Sequence, residues 1–143
     1  MNIGKKYKRG NKMELHKDVE RILLSEEQIK ARVAEIGREI TADYQGRKPL
    51  LVSVLKGSIV FMADLMREIN GDCEIDFMSV SSYGRSKTST GVVRILKDLD
   101  HDIAGKHIIV IEDILDSGLT LSYLLDMLKA RGAASIRLCT LLD

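Results

Sequence analysis

The sequence has little of what marks several large classes of protein. It contains no tryptophan, one proline, two cysteines and 4% aromatic residues among its 143 positions. The cysteines, Cys73 and Cys139, form no CxxC pattern, and we expect two reduced thiols. The three histidines, His16, His101 and His107, show no metal-ligand spacing, which argues against a histidine-based structural metal site. With so few aromatic side chains, the core must be aliphatic.

Long apolar stretches are also missing. Runs such as Ile108–Ile111 are far too short to cross a membrane. The N-terminus has no apolar segment of the kind found in secretory signals. Hydrophobic residues make up 45% of the chain and charged residues 30%, an ordinary globular composition. These observations predict one cytoplasmic domain with no membrane partner.

Charge is distributed unevenly along the chain. Residues 1–12 contain Lys5, Lys6, Lys8, Arg9 and Lys12 and no acid. They contribute +5 to a net charge of +1, so the remaining residues carry −4. We predict a disordered basic leader over residues 1–14 and a single domain over 15–143. The acidic balance of the domain makes nucleic acid an unlikely partner.

Hydrophobic spacing predicts alternating strands and helices. Ser25 and Gln28 have the form of a capping box, and Ser58 and Gly132 stand where a helix N-cap and C-cap belong. A polar, glycine-bounded stretch after residue 82 predicts a surface loop. This order favours an α/β fold with a mostly parallel sheet. We expect helices over 26–44, 58–69 and 119–129 and strands over 50–55, 74–82, 92–96, 107–111 and 136–142, the last two of the buried type.

One segment carries most of the chemical information. An apolar strand runs into Glu112 and Asp113, and a short loop then leads into a helix. Ligands of open parallel sheets bind at the carboxyl ends of strands, which is where this loop is expected. The backbone N–H groups of a helix N-terminus form a cradle for phosphate. Such a cradle predicts a phosphorylated ligand.

The side chains of the segment suit a phosphorylated sugar in particular. Gly118 permits close approach of the backbone, and the hydroxyls of Ser117 and Thr120 add donors. Glu112 and Asp113 are suitable acceptors for vicinal ribose hydroxyls. Asp116 would face the reacting centre.

The thirteen residues from Ile108 to Thr120, with the Leu121 that follows, read IIVIEDILDSGLTL and resemble the PRPP-binding motif of type I phosphoribosyltransferases. (PRPP is 5-phosphoribosyl-1-pyrophosphate.) The Glu-Asp pair followed by Ile-Leu-Asp-Ser-Gly resembles the hypoxanthine-guanine branch. Two further segments resemble that branch: Leu55–Ser58 its pyrophosphate loop, and Ser81–Gly84 the start of its mobile catalytic loop. The resemblance covers residues 15–143 and implies a mostly parallel twisted sheet flanked by helices.

The resemblance implies a magnesium-dependent enzyme of purine salvage. It would transfer 5-phosphoribosyl from PRPP to hypoxanthine or guanine, giving IMP or GMP and pyrophosphate. Self-association as a dimer or tetramer is implied as well. By the same resemblance, Lys56 and Gly57 would bind pyrophosphate, partly through a strained Leu55–Lys56 peptide, and Glu112 and Asp113 would contact ribose and magnesium. Asp116 would transfer a proton at purine N7, and Ser82 and Tyr83 would close over the site. The 5′-phosphate would be bound by Asp116, Ser117, Gly118, Leu119 and Thr120.

The sequence ends at Asp143, where members of this family continue for a few dozen residues. We therefore expect the hood region to be incomplete and the chain to be a C-terminally truncated form, inactive if the missing part is essential. An exposed apolar face on the last strand is a further expectation. Preference among hypoxanthine, guanine and xanthine is not determined by these motifs.

Two other functions are compatible with parts of the pattern. A phosphoribosyltransferase fold can serve as a non-catalytic PRPP-sensing module, which the basic leader mildly favours. A flavodoxin-like receiver domain with Asp113 as phosphoacceptor would explain an acid after a strand. It would not explain the Asp-Ser-Gly-Leu-Thr and Leu-Lys-Gly-Ser segments, and the enzyme is the preferred reading.

Overall fold

The computed structural model describes residues 20–82, 93–115 and 118–142. Helix α1 begins after the capping box, in which Ser25 and Gln28 bond each other's backbone N–H, so this prediction is confirmed. Across the described residues no helix is long and apolar enough to span a membrane. The elements, in chain order, are α1 (Glu26–Asp43), β1 (Leu50–Leu55), α2 (Ile59–Glu68), β2 (Glu74–Ser82), β3 (Val93–Lys97), β4 (His107–Ile114), α3 (Leu119–Ala130) and β5 (Ser135–Leu142).

The strands of the described part form one sheet in the order β3-β2-β1-β4-β5. All neighbouring pairs are parallel except β2 with β3, which is antiparallel. The predicted mostly parallel α/β fold is therefore confirmed. The chain moves outward from β1 to β2 and then returns to the other side of β1 with β4. The order thus reverses between β1 and β4, and such a point is where open α/β sheets bind ligands.

Alternating side chains of the central strands supply two aliphatic cores. Leu51 and Ile109 face α1 and α2, where they pack with Ile36 and Leu65. Their neighbours in the strands face the opposite side of the sheet and pack against Leu124 of α3. Strands covered on both faces read as continuous apolar runs, which explains why β1 and β4 show no polar alternation.

Ser58 is the N-cap residue of α2, as expected, but its side chain makes no capping bond, because its hydroxyl instead donates to the carbonyl of Val54 at 2.6 Å. The expectation of a buried last strand is wrong. Strand β5 lies at the edge of the described sheet, and Leu138 and Leu142 are partly exposed. The separate expectation of an exposed apolar face on this strand is therefore confirmed.

Candidate active site

The carboxyl ends of β1 and β4 bring two of the predicted site segments together. The strands are parallel neighbours, with Leu50 opposite Ile108 and Ser53 opposite Ile111. The turn at Lys56 and Gly57 therefore lies beside the strand end that carries Glu112 and Asp113. These segments are more than fifty positions apart in sequence, and only sheet pairing makes them neighbours.

Gly57 and Asp113 are in direct contact. A Cβ atom on Gly57 would lie 2.7 Å from Oδ2 and 2.8 Å from Oδ1 of Asp113. A carboxylate therefore lies against bare backbone, in space that any other residue at position 57 would fill. A side chain at position 57 would displace the Asp113 carboxylate, so glycine suits this position through close approach and not through backbone conformation, since Gly57 is not among the glycines with positive φ.

The turn itself is tied to β1 by two buried serines. The hydroxyls of Ser53 and Ser58 lie 2.8 Å apart, and both residues are fully buried. Together with the bond from Ser58 to Val54, this pair holds the start of α2 against the end of β1. The sequence analysis did not single out Ser53. Its signal was a lone polar residue inside the apolar run Leu50–Leu55.

The peptide bond between Leu55 and Lys56 is cis. It lies where the resemblance implies an unusual peptide in the pyrophosphate loop. The Lys56 side chain is exposed to solvent.

Glu112 has a strongly perturbed acidity. Burial, and to a lesser extent the neighbouring charge of Asp113, raises the pKa of Glu112 from 4.5 to about 7. Both carboxyl groups are half-buried at the end of β4. Successive side chains of a strand point to opposite faces, so the two carboxyl groups leave the sheet on opposite sides. Perturbed acids at a strand end are typical of functional sites.

Helix α3 begins on the other side of the loop that follows β4. Gly118 is the N-cap residue and has a left-handed backbone with φ of 73°, which glycine adopts without steric cost. The first helical bond runs from the N–H of Ser122 to the carbonyl of Gly118 at 2.8 Å. Gly118 has no side chain to accept from the N–H groups that precede Ser122. Those N–H groups suit an anion, and Thr120 is in the same helical turn.

An apolar surface adjoins the carboxylates and was not predicted. Ile114 and Leu115 follow Asp113 and are 56% and 38% exposed. The N–H of Leu115 donates to the carbonyl of Leu142 at 3.0 Å, which fixes this backbone to β5. The signal in the sequence was the pair of apolar residues between Asp113 and Asp116, where a purely solvated loop would be polar.

Some predicted site residues lie outside the described residues. Tyr83, Asp116 and Ser117 are in this group, so their predicted roles stay predictions. Ser82 ends β2 and Leu119 begins α3, and only their backbone is described. The predicted loop of residues 82–91 and the basic leader of residues 1–14 likewise remain predictions.

A cavity of about 780 Å³ lies elsewhere, at the amino edge of the sheet. It is lined by the end of α1, the segment before β1 and the segment between α2 and β2. Its residues are on the opposite edge from Gly57 and Asp113. We place the site at the carboxyl edge because the paired carboxylates, the glycine contact and the helix N-terminus converge there.

The carboxyl edge also suits a magnesium ion held partly by substrate. Within residues 20–82, 93–115 and 118–142, no group of three potential metal ligands occurs. Magnesium is commonly bound by one or two carboxylates together with substrate phosphates and water. Glu112 and Asp113 are the carboxylates at this edge, and because they leave the sheet on opposite sides, an ion bound directly by one would reach the other only through water or substrate.

The fold and the site define a mostly parallel α/β protein with two carboxylates, a glycine turn and a helix N-terminus at the switch point of its sheet. A model of the phosphoribosyl transferase domain matches residues 21–143. The Bacillus subtilis hypoxanthine-guanine phosphoribosyltransferase is 53% identical over 126 residues, which are 88% of this chain and 70% of that protein. The chain belongs to the phosphoribosyltransferase family, in its hypoxanthine-guanine branch.

A solved structure and a longer relative agree with this assignment. The hypoxanthine phosphoribosyltransferase of Staphylococcus aureus superimposes with a TM-score of 0.83 at 43% identity, covering 87% of this chain and 68% of that one. The bifunctional TilS/HprT protein of Listeria innocua is 49% identical over 134 residues, or 94% of this chain. The chain spans 21% of that bifunctional protein's length.

Proposed function

We propose that this chain carries the catalytic core for transfer of 5-phosphoribosyl from PRPP to hypoxanthine or guanine. The products are IMP or GMP and pyrophosphate, a reaction of purine salvage. The observation that carries the proposal is the contact between Asp113 and Gly57 at the switch point of the sheet. It brings the proposed pyrophosphate loop and the proposed ribose-binding carboxylates together at one edge of the sheet. The names of the relatives support the same reaction.

The substrate is positioned by three segments. The N-terminus of α3, from Gly118 to Thr120, holds the 5′-phosphate through backbone N–H groups and the threonine hydroxyl. Glu112 and Asp113 accept hydrogen bonds from the ribose hydroxyls. Lys56 and the backbone of Gly57 hold the pyrophosphate. Because the turn is fixed to β1 by buried serines, the pyrophosphate and the ribose of PRPP are held at a fixed distance from each other.

The reaction forms a bond from a purine nitrogen to the sugar carbon and breaks the bond from that carbon to pyrophosphate. Positive charge develops on the sugar, and carboxylates at the ribose favour it electrostatically. Asp116 takes the surplus proton from the purine, a role that typically contributes about 10²–10⁴-fold. Ser117 joins the phosphate loop, and Ser82 and Tyr83 cover the reacting centre.

Glu112 and Asp113 would hold magnesium, directly or through water, and the bound ion would supply positive charge to offset that of the departing pyrophosphate. The purine itself needs an apolar surface next to the ribose. Ile114 and Leu115 provide one, since both side chains are exposed on the segment that follows Asp113.

We further propose that the chain self-associates, as a cytoplasmic homodimer or tetramer. Helix α2 exposes three apolar side chains, Ile59, Val60 and Met66. Exposed apolar stripes of this kind mark protein interfaces. Light scattering coupled to size exclusion tests the proposal; a monomer at all concentrations refutes it.

The test of the enzymatic function is product formation from PRPP, magnesium and hypoxanthine or guanine, with Asp116→Asn in parallel. We expect nucleotide from the parent and a much lower turnover from the variant, with PRPP affinity nearly unchanged. Equal losses of turnover and of PRPP binding would contradict the role of Asp116 as base.

No nucleotide from either protein would refute catalysis by this core. Calorimetric titration with PRPP then distinguishes two results. Binding would favour the PRPP-sensing alternative, and absence of binding would leave only the family fold.

A further inference from the structure

Strand β2 leaves the parallel sheet at Ser79. The last residue of β1, Leu55, pairs with Ser79, and β1 then turns into the Lys56–Gly57 loop. From Val80 onward, β2 pairs with β3 alone. Val80–Ser82 and Val93–Ile95 therefore form a two-stranded arm that projects beyond the carboxyl edge. Its far end is Ser82, one of the predicted site residues.

The base of this arm contains a β-bulge. Ser79 pairs with Lys97, but the next pair is Val80 with Ile95, so Leu96 is an extra residue on β3. A bulge bends its strand and increases the local twist. A two-stranded ribbon is marginally stable by itself. The orientation of the arm therefore depends on what holds its base to the sheet.

Lys97, directly below the bulge, is bonded to three groups. Its Nζ donates to the carbonyls of Phe77 at 3.0 Å and Asp98 at 2.9 Å, and to Oδ1 of Asp100 at 2.9 Å. An ammonium group has three donors, so all are used. The same Nζ lies 3.6 Å from Oδ1 of Asp76, a residue only 4% exposed. Asp76 in turn accepts from the N–H of Asp100 at 2.9 Å.

We propose that Lys97 is a positioning residue, which fixes the bulge and thereby sets the direction of the arm over the carboxyl edge. Its contacts join the central part of β2, the end of β3 and the turn after β3, all on the sheet side of the bulge. Ser79, beside the bulge, pairs with Leu55, the residue after which the proposed pyrophosphate loop begins. The effect on the reaction rests on the function proposed above, whereas the effect on the arm does not.

The chain offers a matched control for Lys97. Lys106 is a lysine of similar exposure, and it pairs at 2.5 Å with Glu74 at the start of the same strand β2. Glu74 lies at the amino edge, away from the arm. Lys106→Met and Lys97→Met thus each remove one lysine–carboxylate pair from β2, at Glu74 and at Asp76 respectively, but only Lys97 belongs to β3 and adjoins the bulge.

The experiment measures amide hydrogen exchange in the full chain, with the amides of β4 as a reference for global opening. In Lys97→Met we expect exchange of Ser79–Ser82 and Val93–Leu96 to accelerate roughly tenfold or more relative to β4, because charge-assisted bonds are lost. Lys106→Met leaves these amides unchanged. Asp100→Asn alters only one exposed partner of Lys97, so we expect a smaller increase in the exchange rates of the same amides. This variant replaces Lys97→Met in the experiment if Lys97→Met does not fold.

Kinetics provide the second measurement. We expect Lys97→Met to lower kcat about tenfold with little change in KM for hypoxanthine, since the arm and not the base site is displaced. Unchanged arm exchange in both Lys97→Met and Asp100→Asn overturns the proposal, as does an equal acceleration in Lys106→Met. If the parent chain forms no nucleotide, the proposed function fails and the exchange data still decide the role of Lys97.

Discussion

The carboxylate of Asp113 lies against Gly57, with Oδ2 only 2.7 Å from the position that a Cβ atom on Gly57 would take. The two residues belong to different strand ends, and their contact sets the distance between the proposed pyrophosphate and ribose sites. Gly57→Ala must therefore displace Asp113 or the turn. We expect kcat/KM for PRPP to fall about 10–100-fold with a small change in melting temperature.

The control for this variant is Gly71→Ala. A Cβ at Gly71 meets nothing within 4 Å, and this glycine does not have a positive φ. Steady-state kinetics and thermal melts on both variants check the prediction. Equal activity of the two variants would contradict a functional contact between Gly57 and Asp113.

Glu112 makes stability depend on pH in a particular direction. Burial and Asp113 raise the pKa of Glu112 to about 7 in the folded protein, against 4.5 in the unfolded chain. The folded state then binds more protons than the unfolded state between about 4.5 and 7, so the group's contribution to stability falls as pH rises through this window. Above pH 7 the cost of the buried charge is constant.

Glu112→Gln should remove that cost. After allowance for partial solvent exposure, we expect the variant to be about 1–2 kcal/mol more stable than the parent at pH 8 and nearly equal to it at pH 5. Chemical denaturation at both pH values measures the difference. Glu20→Gln, at an exposed carboxyl group, should show no such gain. A gain for Glu112→Gln that does not vary with pH would refute the prediction.

The buried serine pair should behave as one unit. Ser58→Ala leaves the hydroxyl of Ser53 and the carbonyl of Val54 without this partner, and we expect a loss of about 1–3 kcal/mol. Adding Ser53→Ala should cost less than it does in the parent chain, because its partner is already absent. A denaturant double-mutant cycle measures the coupling. Strict additivity would mean that the hydroxyls do not depend on each other.

The exposed face of β5 should govern solubility and not stability. Leu138 is 38% exposed on the strand at the edge of the described sheet. Leu138→Lys introduces a charge on an edge strand, a change that discourages edge-to-edge association. We expect higher solubility with a change in unfolding free energy below about 1 kcal/mol. A large loss of stability would show that Leu138 contributes to packing.

Sequence patterns identified every described helix and strand. Continuous apolar runs marked β1 and β4 because both faces of these strands are covered, and a capping box marked the start of α1. The prediction for β5 was less accurate. A central strand and an edge strand can both consist of a continuous apolar run, so the sequence pattern does not tell them apart. Only the order of strands in the sheet distinguishes the two kinds of strand.

The sequence by itself determined which groups this protein offers to a ligand and how its elements follow one another: the acids Glu112 and Asp113, the glycine turn at Gly57, and the order of strands and helices. These are local properties, fixed by residue type and spacing. Tertiary structure alone decided that Asp113 would contact Gly57, that burial would raise the pKa of Glu112, and that Lys97 would lie below a bulge. Each of these depends on strands that are distant in sequence and adjacent in the sheet, and sheet pairing is set by the packing of the whole domain.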